Sequence, residues 1–149
     1  MKPLFRLALY GSVICISGLQ IAAHAGQRSR HKALCSAYSA FTPCEVFVYD
    51  QGRVTSNIPR GYLDVDRSSI LGVEVCDADV RCKPLLGENL EYVWKDARVS
   101  PFTAVVDYRF RYKDDFGSNK TVIFRFYNRF AAEDFGKSLL AAAATGTGS

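Results

Sequence analysis

A mainly β domain of about seven antiparallel strands, stoppered by one C-terminal amphipathic helix, is the fold class this sequence predicts. Three observations carry it. In "FTAVVDYRFRYKD", Phe102, Ala104, Val106, Tyr108, Phe110 and Tyr112 share one face, and Thr103, Val105, Asp107, Arg109 and Arg111 share the other. That alternation is the period of a strand with one buried side. Across the turn "DFGSN", Val122, Phe124 and Phe126 alternate with Ile123, Arg125 and Tyr127 in the same way. After Asn128 the period lengthens: Ala131, Phe135, Leu139 and Ala142 fall on one helical stripe, widened by Leu140 and Ala143.

The chain begins with a leader. Lys2 and Arg6 precede the apolar run "LALYGSVICISGLQIAA", which ends at "AHA", where Ala23 and Ala25 supply the small residues of a cleavage site. Residues 1–25 therefore read as a secretory signal peptide. Gly11, Ser12, Ser17, Gly18 and Gln20 weaken the alternative of a retained membrane anchor. The remainder, Gly26 to Ser149, suits a single domain with one core. Of 19 Lys and Arg, two lie in the leader; the rest stand against 15 Asp and Glu. That balance argues against nucleic acid as a partner, and no later run approaches a membrane span.

Four cysteines lie beyond the leader: Cys35, Cys44, Cys76 and Cys82. An even number in an exported chain points to disulfides. Of the possible connectivities, Cys35–Cys44 and Cys76–Cys82 are favoured because each pair brackets a short loop. On the chain-entropy model each closure contributes about 2–3 kcal/mol. The spacings are not C-x-x-C and His31 is the one histidine after the leader, so neither zinc nor any other cofactor is expected.

Residues 26–44, "GQRSRHKALCSAYSAFTPC", show no clear period and read as an N-terminal arm pinned by its cysteines, with Arg28, Arg30, His31 and Lys32 as a solvated basic cluster. Residues 45–144 form the domain proper. "EVFVYD" and "RVTSNI" flank Gln51-Gly52 as a hairpin, and Pro59 ends the second strand because it cannot donate to the ladder. "GYLDVD" is a short strand, and "SILGVEVC" is another with Gly72 placed for a bulge. "CDADVRC" is a polar loop whose Asp77 and Asp79 are too few for calcium. "LEYVWKDARVS" reads as a strand carrying Tyr92 and Trp94 on one face, before the two strongly patterned strands. Asn128 is placed to cap the helix, Glu133 and Asp134 complement its positive end, and Gly136 weakens it by roughly 1 kcal/mol, a cost that fits close approach to a sheet. Residues 145–149 read as a flexible tail.

Seven strands and then one amphipathic helix is the order of elements in pleckstrin-homology-like domains. "GRVTSNIPRGYLDV" and "FRFYNRFAAEDFGKSLL" resemble the strand-to-strand and strand-to-helix passages of that superfold, and the likeness spans Glu45 to Ala144. The resemblance implies antiparallel sheets forming a barrel, or two packed sheets, with the helix capping one end. It also implies a binding or scaffolding module, for lipid head groups or peptides, without catalysis.

For function, Arg109, Arg111 and Arg125, with Lys113, Lys120 and Tyr127 nearby, form the candidate ligand-binding group. Arginines presented together grip carboxylate or phosphate bidentately; the competing expectation is that Asp107, Glu91 or Asp96 simply neutralises them. No catalytic residue is assigned, since His31 sits in the arm and the cysteines are oxidised. These residues suit an exported, non-catalytic module, monomeric, that binds an anionic ligand or an envelope or secreted protein. Two alternatives stand beside it. Paired acids (Asp64/Asp66, Asp77/Asp79, Asp114/Asp115, Glu133/Asp134) suit a hydrolase of envelope polysaccharide. A rigid loop such as "CDADVRC" or "DDFGSN" suits a secreted hydrolase inhibitor.

Overall fold

The computed structural model describes residues 27–146 other than 39, 80 and 102. The expected signal peptide lies outside the described residues, as do residues 147–149 of the expected tail. The described residues form a mainly β fold with a single α-helix, as the patterning predicts. The strands are β1 (Arg28–Ser36), β2 (Thr42–Tyr49), β3 (Val54–Ile58), β4 (Gly61–Val65), β5 (Ile70–Cys76), β6 (Cys82–Leu86), β7 (Val106–Lys113) and β8 (Asn119–Phe126), and the helix is α1 (Arg129–Thr145). Short 3-10 turns at Arg67–Ser69 and Glu88–Leu90 come after β4 and β6.

All the strands pair antiparallel in one sheet, in the order β4-β3-β2-β1-β8-β7-β5-β6. The sheet is open, with β4 and β6 as its edges, rather than a closed barrel or two packed sheets. Its two halves meet where β1 joins β8 through Leu34↔Arg125, Cys35↔Phe124 and Ser36↔Ile123. Among the described residues, the first strand, β1, therefore lies at the centre of the sheet, beside the last, β8.

That placement corrects the expectation of an arm. Residues 28–36 are β1, and residues 42–44 begin β2. The alternation is hidden because the inward side of β1 carries Ser29, His31, Ala33 and Cys35 rather than branched apolar residues, while Arg28, Arg30 and Lys32 are exposed on the other side. The basic cluster also divides: His31 faces the helix, where its ring meets Phe135 edge-on at 5.3 Å. β6 is likewise absent from the expected elements, being short and carrying Pro84; it survives because it is an edge strand, where proline's missing N–H costs no ladder bond. The strand expected at "LEYVWKDARVS" does not form. Its one ladder contact is the bridge Leu86↔Tyr92. The segment instead drapes over α1 through side chains: the Tyr92 hydroxyl donates to the Leu140 carbonyl (3.0 Å), and the Val99 amide donates to Glu133 (3.4 Å).

The core lies between the inner face of the sheet and α1. The Asn128 carboxamide caps the helix, accepting from the amides of Phe130 (2.8 Å) and Ala131 (3.3 Å). Phe135 and Leu139 are fully buried; each contributes on the order of 2–3 kcal/mol. Phe135 packs edge-to-face on Tyr108 (4.9 Å between centroids) and Phe124 (5.5 Å), and tilted on Phe126 (5.3 Å). Gly136 does permit the close approach: a Cβ there would lie 2.6 Å from the Tyr108 hydroxyl and 2.9 Å from Ala97 Cβ. That hydroxyl donates to the Ala132 carbonyl at 2.6 Å. The disulfides are Cys35–Cys44, joining β1 to β2, and Cys76–Cys82, joining β5 to β6. Among the described residues, no helix is long and apolar enough to cross a membrane.

Candidate functional site

Strand register decides which of the candidate residues meet. On the outer face of the sheet, away from α1, β7 presents Asp107, Arg109, Arg111 and Lys113, opposite Arg125, Ile123, Thr121 and Asn119 of β8. Arg125 does share this face, but its partner is already in place. Its guanidinium forks onto Asp107 with both bonds at 2.8 Å and stacks 3.8 Å above the Phe41 ring. The Asp107 hydrogen bonds hold that guanidinium even more firmly protonated than usual, with a smaller contribution from Tyr127. Tyr127 lies just past the end of β8, beside Arg125 rather than near the other cations. Lys120 is on the opposite face, across from Tyr112, with its ammonium 4.0 Å from Asp114.

What remains together is the row Arg109, Arg111 and Lys113, every second residue of one strand. Among the described residues none of the three is ion-paired. Glu74 stands opposite Arg109 on β5 without closing a pair. The Arg111 guanidinium lies over Gly72 of β5. The β5 register shifts between Ile70 and Gly72, and a Cβ on Gly72, whose φ is +156°, would meet Arg111 Nη2 at 2.9 Å. A side chain there would be strained and would push the guanidinium away.

The row leads to the β7–β8 turn. Asp114 builds this turn: its carboxylate accepts from the amides of Phe116 (3.0 Å) and Ser118 (2.8 Å), while its own amide donates to the Ser118 carbonyl (2.9 Å). At the apex Phe116 is 94% exposed, the most exposed large apolar side chain of the described residues. It is not among the ligand-binding candidates that the sequence offers, where it stands only within "DDFGSN", the loop that suits an inhibitor. The available signal is an aromatic at the tip of a short hairpin, where no sheet face exists to bury it. Close by, burial raises the phenol of Tyr112, with smaller contributions from Asp114 and Tyr38.

The acidic pairs are largely committed elsewhere. Asp64 takes a two-pronged bond from Arg53 (2.8 and 2.6 Å), and Asp77 and Asp79 both bind Arg81 (3.2 Å each). Asp114 holds its turn and Glu133 the 99-region backbone. A cavity of about 450 Å³ opens beside the Cys76–Cys82 bridge, its lining including Val75, Val99, Val106, Asp77, Arg81 and Lys83. There Asp77 pairs with Arg81, and Lys83 donates to the Arg98 carbonyl (3.1 Å).

Comparison with protein-family models, curated proteins and solved structures finds no match to this chain. The likeness to pleckstrin-homology-like domains thus rests on element order alone.

Proposed function

We propose that the protein is an exported, non-catalytic binding module that holds an anionic ligand or partner on the outer face of β5 and β7. The observation that carries this reading is the Arg109, Arg111 and Lys113 row, left without ion pairs while Asp107 on the same face is already bound by Arg125. Half-exposed and exposed cations at every second position of a strand face the same way at a fixed spacing, so an anion can meet them together without their first being drawn out of a buried site. The leader pattern and the two disulfides support export.

The test replaces Arg109, Arg111 and Lys113 together by Glu and measures binding to heparin, polyglutamate and phosphatidylglycerol vesicles. A control with the same charge change, Arg60, Lys95 and Lys137 to Glu, separates site from bulk charge. The row variant is expected to lose at least about tenfold in affinity for whichever polyanion binds, and the control to lose far less. Equal losses, or no wild-type binding to any of the three, would remove the β7 face as the site.

A further inference from the structure

We propose that the anionic partner is a linear acidic polysaccharide lying along β7, with its carboxylate or sulfate groups on Arg109, Arg111 and Lys113 and a sugar ring stacked on Phe116. This rests on the proposed anion-binding role and adds the class of ligand. Three features point to it.

The first is shape. Side chains two apart on a strand point the same way and stand about 6.7 Å apart, so the row extends about 13 Å along one line. Past Lys113 that line reaches the turn bearing Phe116. Neighbouring strands stop short of it: β5 last meets β7 at Ile70↔Tyr112, and β1 last meets β8 at Ser36↔Ile123. Among the described residues, no ladder flanks the hairpin end beyond those pairs.

The second is chemistry. Guanidinium forks match planar or tetrahedral oxyanions, and the Arg111 guanidinium lies over Gly72 where no side chain crowds it. Phe116 offers an open aromatic face, electron-rich at its centre, to the polarised C–H groups of a sugar ring. The turn's amides are satisfied by Asp114, so the platform is presented without rearrangement.

The third discriminates against a lipid surface. A bilayer meeting the tip would engage Phe116, Lys113 and Lys120 but would leave Arg109 about 13 Å back along the strand. That is beyond the screening length of roughly 8 Å at physiological ionic strength. A chain-like polyanion uses the whole row.

The experiment is calorimetric titration with size-fractionated heparin and polygalacturonate oligosaccharides, alongside polyglutamate, phosphatidylglycerol vesicles and neutral dextran. Affinity for the acidic oligosaccharides is expected to rise with length until the row is spanned. Phe116→Ala, at an exposed site that leaves thermal unfolding unchanged, should weaken oligosaccharide binding about 3- to 10-fold and leave polyglutamate binding as it was. Preference for vesicles or polyglutamate, or an unaltered oligosaccharide affinity in Phe116→Ala, would overturn the polysaccharide assignment while the anion-binding reading stood. Failure to bind any of the polyanions would overturn both.

Discussion

His31 shows how one side chain can join two elements. Its Nε2 lies 3.0 Å from both the Ser29 hydroxyl on its own strand and the Ser138 hydroxyl on α1. Burial lowers its affinity for a proton below the ordinary value of 6.5, and Asp134 opposes this more weakly. As pH falls below 6.5, the unfolded chain therefore binds a proton before the folded one does. Protonation then favours unfolding, so stability present above pH 6.5 is lost as the solution is acidified through the lowered folded-state value. Urea unfolding at pH about 7.5 and about 5 is expected to show a larger acid loss for the native protein than for His31→Gln. An equal loss in both would mean that His31 is not the group responsible. None of this is legible in "RSRHK", where one histidine among cations looks solvated; only the crossing of β1 by the helix removes it from water.

At the scale of the element, α1 is held at both ends by side chains. Asn128 caps its start, as the sequence signals. Its other end is held from a distance: the Arg67 guanidinium, from the turn after β4, donates to the carbonyls of Ala142 (3.0 Å) and Ala143 (3.1 Å). These are among the carbonyls that a helix terminus leaves without intrahelical partners, and a cation is favoured there by the helix dipole. Arg67→Met keeps most of the stem and removes both donors. It should cost about 1–3 kcal/mol and speed amide exchange in the last turn of α1, with the first turn unchanged. A uniform change along the helix would contradict an end-specific anchor. The N-cap can be read in advance because its bonds span two or three residues, whereas the Arg67 contact spans 75 and has no local sequence sign.

For the whole molecule, the consequential feature is that β1 and β8, from opposite ends of the domain, complete the sheet between them. Neither half of the sheet has its inner neighbour until both are present, so loop closure over most of the chain precedes the central contacts. Topologies of this kind fold slowly, on the ms–s scale. Removing residues through Ser36 is expected to abolish cooperative urea unfolding, monitored by far-UV circular dichroism, because the β2–β4 half of the sheet and the half that begins at β8 lose the strand between them. If residues 26–44 were a dispensable arm, the truncated protein would unfold as cooperatively as the intact one.

Sequence alone determined what depends on neighbours a few residues apart. The alternation of β7 and β8, the Gly72 bulge, the Asn128 cap, the apolar stripe of α1 and the two short disulfide loops all rest on local periodicity or local closure. Tertiary structure alone decided which strand lies beside which. That placement turned the small and polar side of β1 inward at the sheet's centre, drew residues 91–100 onto α1 instead of into a ladder, and paired Arg125 with Asp107 while leaving Arg109, Arg111 and Lys113 open. The physical reason is range. A side chain's period is written in its own segment, but its partner across a sheet is set by register between strands distant in the chain, and a shift of one residue would exchange the buried face for the exposed one.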